Sequence, residues 1–142
     1  MNKSIKIAKD FSKYTGLRHA SISDNSGEEF YHKILNKEFH DALINNYTLT
    51  VDLDGAAAYS PSFIDEAFGN LIYDFSLDLV KKHLTVISNI EPHWIYMLEN
   101  ETFPQWQSRR EKNEVPKTTI NHKDWYRMNS VNGKIELNQW TA

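Results

Sequence analysis

Cysteine is absent from all 142 residues, so disulfides, thiolate metal sites, redox pairs and cysteine nucleophiles are excluded. Glycine and proline are scarce, with five and four copies. That rules out fibrous repeats and leaves little material for a glycine-rich phosphate loop; no Gly-x-x-x-x-Gly-Lys, Gly-x-Gly-x-x-Gly or Gly-x-Ser-x-Gly pattern occurs. No apolar run approaches the roughly 20 residues of a membrane-spanning helix. The opening stretch Met1 to Phe11 alternates lysines with isoleucines, unlike a signal peptide. A cytoplasmic home is the expectation, and the sequon-like triplets at Asn46 and Asn100 carry no weight against it. Basic excess is also missing. Residues 1–106 hold nine Lys/Arg against fifteen Asp/Glu and residues 107–142 hold seven against four, which points away from a nucleic-acid groove.

What remains is the composition of one soluble globular domain, 40% apolar and 25% charged. Ile5 and Ile7 around Lys6 read as a strand, and Arg18 to Ser23 as a second, weaker one, the two forming an antiparallel edge pair. Ser26 with Glu29 three residues on marks a helix start. Behind it Phe30, Ile34, Leu35, Phe39, Ala42 and Leu43 recur at helical spacing to about Asn45. Leu49, Val51 and Leu53 alternate with polar residues and end at Asp54-Gly55, as a strand emptying into a loop does.

Ser60-Pro61-Ser62 then opens the best helix, with Phe63, Ile64, Ala67, Phe68, Leu71, Ile72 and Phe75 on one face and Asp65, Glu66, Asn70 and Asp74 elsewhere. Leu84 to Ile87 reads as a buried strand. Two strands joined by such a helix form a parallel crossover, so the fold class is α/β, a mixed sheet of about four strands with three helices. The third helix starts near Pro92 and is interrupted by Pro104. Residues 1–110 form the domain and residues 111–142 a polar, aromatic extension. There Arg109 to Thr119 reads as exposed linker and Asn132-Gly133 as a two-residue hairpin turn. Trp125, Tyr126 and Trp140 must pack on the body or on a partner, so the extension is also a candidate oligomerisation arm.

Ligands of open α/β sheets bind beyond the C-terminal ends of the strands, where Asp54, Ser60, Ser62, Asp65 and Glu66 are expected to crowd. Two readings of the serines stand. Either hydroxyl caps the helix, Ser60 with Pro61 at N1 or Ser62 with Asp65 at N3, or one is a phosphate acceptor, favoured by free amides and the helix dipole. The acids Asp65 and Glu66 repel an added phosphate. Asp54, Asp65 and Glu66 also make an alternative: an enzyme for small molecules or nucleotides using a divalent metal. Glu29 and His32 have the spacing of a di-iron helix, but no second such pair exists, and His19, His40, His83, His93 and His122 show no ligand spacing. No metal or cofactor is expected.

Val51-Asp52-Leu53-Asp54-Gly55, the run Tyr59-Ser60-Pro61-Ser62-Phe63-Ile64-Asp65-Glu66-Ala67-Phe68-Gly69, and the helix start Ser26-Gly27-Glu28-Glu29-Phe30 together resemble the bacterial STAS-like domain family of unassigned function. The resemblance covers about Ile5 to Ser88. It implies a fold similar to the anti-sigma-factor antagonists, in which Ser62 falls on the phosphorylated serine and Ser60 on the aspartate before it. Pro61 and Phe63 replace the small flanking residues of those proteins, and Asp65-Glu66 replaces apolar or small ones. The resemblance further implies a non-catalytic regulatory domain whose partner is a protein such as a histidine-kinase-type ATPase.

Overall fold

The computed structural model describes residues 2–120, 124–129 and 132–139. Strands β1 (Lys3–Lys6), β2 (Leu49–Asp52) and β3 (Leu84–Ile87) form one sheet in the order β1-β2-β3. Both pairings are parallel, with Ile5 beside Val51 and Val51 beside Val86. The expected α/β class holds, but among the described residues this sheet has three strands, all parallel, in place of the expected mixed sheet of about four. Ile7 already begins a short helix, α1 (Ile7–Asp10), and the Arg18 to Ser23 segment is turns, with the amides of Ile22 and Ser23 both donating to the His19 carbonyl. The antiparallel edge pair is therefore not formed. Alternation over so few residues was overridden by the Glu28 carboxylate, which accepts the Ala20 amide at 3.0 Å and bends the chain inward.

Helix α2 (Gly27–Phe30) starts as its cap residues dictate: Ser26 Oγ accepts the Glu29 amide at 3.1 Å. Glu29 does not complete a reciprocal box; its carboxylate takes Lys33 Nζ at 2.9 Å. The helix passes through a π-helical turn (Tyr31–Leu35) into α3 (Asn36–Ile44). The next crossover is α4 (Pro61–Phe75) followed by α5 (Leu77–His83). They are separated at Ser76, whose φ of 80° is unusual for a residue with a side chain. After β3 come α6 (His93–Met97), a second π-helical turn (Leu98–Thr102) and α7 (Phe103–Glu111). Pro104 does not interrupt this helix, because it falls in the first turn of α7, where the missing N–H is tolerated. Arg109 and Arg110 are accordingly helical, and the irregular chain begins only after Glu111.

The largest departure concerns α4. Its apolar face packs into the core as expected, yet Glu66, Asn70 and Asp74 on the other side are buried too, at 2%, 5% and 1% exposure. A layer that the amphipathic pattern does not announce covers them: α7, and strand β4 (Asp124–Met128) of a hairpin completed by β5 (Ile135–Gln139). Helix α7 comes so close that a Cβ on Gly69 would overlap the indole of Trp106, itself 1% exposed. The hairpin's connection runs from Asn129 to Lys134, longer than the two-residue turn expected, with Gly133 at φ 70°.

Polar contacts fix the hairpin to the body. The Asn36 carboxamide donates to the Tyr126 carbonyl at 3.0 Å and accepts the Tyr126 amide at 2.8 Å, acting as a one-residue strand partner. His40 stacks flat on Tyr126, with ring centroids 3.5 Å apart. Arg127 Nε donates to the buried Asp74, whose other oxygen accepts the Tyr31 hydroxyl. Of the two fates expected for the tail aromatics, Trp125 and Tyr126 take the body; Trp140 lies outside the described residues. Removing one partner of a buried ion pair leaves an uncompensated charge. Arg127→Ala is therefore expected to cost about 3–5 kcal/mol of unfolding free energy, the range for broken buried pairs, measured by urea denaturation. The double change Arg127→Leu with Asp74→Leu is expected to recover part of that loss.

Candidate functional site

Segment 12–20 lies across the start of α4, and this overlay organises the site. Thr15 Oγ1 donates to the Ala58 carbonyl at 2.8 Å, and the Ala57 amide donates to the Lys13 carbonyl at 2.8 Å. Ser60 is used twice: its Oγ accepts the Phe63 amide at 3.1 Å, as an N-cap before Pro61 at N1, and donates to the Gly16 carbonyl at 3.0 Å. Of the two capping assignments, the structure selects Ser60. Ser62 is half-buried in the first turn, its Oγ 3.1 Å from Ser60 Oγ.

The acids divide by partner. Arg18, the one arginine before position 109, reaches Asp65 Oδ2 at 2.7 Å and Glu66 Oε1 at 3.1 Å through the same nitrogen, Nη1. The second oxygen of Asp65 accepts the Trp106 indole N–H at 3.2 Å, and that of Glu66 accepts the Asn70 amide at 2.7 Å. His19 Nε2 stands 3.7 Å from Glu66 Oε2. Asp54 belongs elsewhere: its two oxygens accept the amides of Ile90 and Asn89, at 3.0 and 3.1 Å, tying the loop after β3 to the end of β2. Ser60, Ser62, Asp65 and Glu66 thus share the overlay, and Asp54 holds a different loop. Each carboxylate proposed as a metal ligand is already bonded to protein donors, and among the described residues no group of three His, Asp or Glu is placed to hold a metal ion.

Sequence reasoning missed Arg18, His19, Trp106, Arg109 and Lys117, which join Asp65 and Glu66 around a cleft of about 220 Å³. One signal was available: a lone arginine in an acidic body, where buried carboxylates need a cation. The proximity of Trp106 had no local signal, since it depends on Gly69 admitting α7.

Burial pushes the Glu66 carboxyl above its ordinary value, against the lowering pull of Asn70, His19 and Arg18. Burial raises Asp74 in the same way, against Arg127 and Tyr31. A carboxyl whose pKa is higher folded than unfolded binds its proton more tightly in the fold. Its stabilising contribution is complete below the unfolded pKa and is lost as pH rises through the folded one. In Glu66→Gln this titration is gone. The stability of the natural protein relative to that variant is therefore expected to fall as pH rises from about 4, the ordinary glutamate value, through the raised value of the folded protein. Urea melts of both proteins across the range check it, and a flat or rising difference contradicts it.

Among the described residues no helix is long and apolar enough to cross a membrane. No curated protein and no solved structure matches the chain at a significant level. A family model does match, over residues 26–94: that of a STAS-like domain of unknown function. The matched stretch begins at the Ser26 cap, takes in β2, the Ser60 cap, α4 and β3, and ends at Trp94 in α6, leaving the edge strand β1 outside it. Residues 26–94 are thus similar to the STAS-like domain of that family.

Proposed function

We propose that the chain is a non-catalytic, cytoplasmic regulatory domain that binds a protein partner at the overlay on the start of α4. The observation carrying this reading is the exposure of Tyr14 and Leu17, at 69% and 46%, in the segment that is bonded to Ser60, Ala58 and Asp65, and of Ile22, at 64%, in the turn that follows it. Large apolar side chains grouped on one held loop are the composition of a protein-binding patch. The STAS-like resemblance supplies the partner class, a histidine-kinase-type ATPase.

Ser62 is the phosphoacceptor in this reading. Ser60 is committed to the helix end and to Gly16, whereas among the described residues the Ser62 hydroxyl bonds to a side chain only at Ser60 Oγ. Asp65 and Glu66 are offset by Arg18, which reduces the repulsion they would otherwise exert on a phosphate at this position. The alternative, an enzyme using Asp54, Asp65 and Glu66 with a divalent metal, has no comparable support, because Asp54 is bonded to a different loop from the other two.

Co-purification with a histidine-kinase-type ATPase of the same organism, followed by intact-mass measurement after addition of ATP, tests the reading. Binding is expected, together with a phosphoryl adduct that Ser62→Ala abolishes. Leu17→Glu with Ile22→Glu is expected to weaken binding at least about tenfold, since hot-spot truncations commonly cost more than 1.4 kcal/mol, with thermal unfolding unchanged because both side chains are exposed. Absence of binding by the natural protein, or binding indifferent to the Leu17/Ile22 pair, overturns it.

A further inference from the structure

The cleft beside α7 holds more cation than its structural role uses. Arg18, Arg109 and Lys117 line it together with Asp65, Glu66 and His19. The two carboxylates have both of their oxygens engaged, by Arg18, Trp106 and Asn70. Arg18 makes both of its ion pairs through Nη1, so among the described residues its Nε and Nη2 hydrogens have no acceptor. The guanidinium is thereby held in one orientation with its remaining donors unspent. Arg109 has its Cζ 4.3 Å from the centroid of the Trp106 ring, and among the described residues it has no carboxylate partner; the cation–π contact leaves its N–H groups able to donate to a further acceptor. Lys117, exposed and likewise without an ion pair among the described residues, follows the buried Pro116 at the cleft's border.

Three permanent cations against two satisfied carboxylates leave the cleft positive in a chain whose net charge is −3. Two of those cations are guanidinium groups, whose planar N–H forks match tetrahedral oxyanions. We infer that this cleft binds a phosphoryl dianion, as inorganic phosphate or as the phosphate of a small monoester. Arg18 and Arg109 donate to its oxygens and Lys117 supplies a further charge from the rim. A volume of about 220 Å³ accommodates the phosphoryl group with a small organic remainder. Asp65 and Glu66 act as struts for Arg18 and make no contact with the anion. The site does not involve Ser62 and stands independently of partner binding.

Calorimetric titration of the full chain in phosphate-free buffer tests this, with inorganic phosphate and glycerol phosphate as separate arms. Saturable binding in at least one arm is expected. A tighter ester arm identifies a monoester as the ligand, and an equal or weaker one identifies the free ion. Arg109→Gln and Lys117→Gln are each expected to weaken binding about tenfold, a typical loss for one charge-assisted hydrogen bond. Lys33→Gln, which removes only the pair with Glu29, is expected to leave it unchanged. Circular dichroism melts confirm that all the variants are folded. No saturable heat in either arm overturns the inference, as does binding that survives the Arg109/Lys117 double variant.

Discussion

Glu66, Asn70 and Asp74 follow one another at four-residue spacing along a helix that is buried on every side. A polar stripe in such a place must be neutralised from outside the helix, because the desolvation cost of an unpaired carboxylate exceeds what a small domain has to spare. Each partner comes from a different stretch of chain. Arg18 arrives from the segment before α2, Tyr31 from the first π-helical turn, and Arg127 from the C-terminal hairpin. The stripe thereby determines where three otherwise unrelated segments must sit, and the candidate site lies where the first of them, carrying Arg18, meets Glu66.

The same constraint explains what could be read from the sequence. Elements defined by local chemistry were legible: the Ser26 and Ser60 caps, the 49–53 alternation, the apolar face of α4 and the short run of β3 all form where residue types predict, although β3, expected to be buried, is an edge strand only half-buried, with Thr85 exposed. What failed depended on distant partners. The 18–23 alternation gave way to turns because Glu28 and Asp65 recruit that segment over α4, and Asp74 looked like a solvent-facing residue until a hairpin some fifty positions later covered it. Pro104 looked like a break because the preceding π-helical turn, which puts the proline in the first turn of α7, leaves no mark in composition. In the candidate site, the serines and acids were legible from motif resemblance, whereas the cations facing them come from elements far along the chain.

The segment after α7 is held largely by polar contacts in partly buried surroundings. Thr119 gives both its amide and its hydroxyl to the Glu28 carboxylate, Asn36 pairs with the Tyr126 backbone, and Arg110 donates to the carbonyls of Tyr73 and Met128. Bonds of this kind specify position strongly while contributing modest net stability. The fold thus combines an apolar centre between sheet and helices with an outer layer located by hydrogen-bond direction. This layer reaches beyond the stretch matched by the family model, which stops at Trp94.

Both helices flanking α4 carry a widened turn, at Tyr31–Leu35 and at Leu98–Thr102, and both turns touch α4. A widened turn absorbs one residue more than an α turn, so everything downstream is out of phase by about 100° with the helix it would otherwise continue. Asn36 and Phe103 occupy their places because of that offset. Loss of a single codon within either stretch would therefore do more than shorten a helix: tightening it to α geometry would swing Asn36 off the Tyr126 backbone, or turn Trp106 away from Gly69. Residue count within these two turns is as much a part of the fold's specification as residue identity.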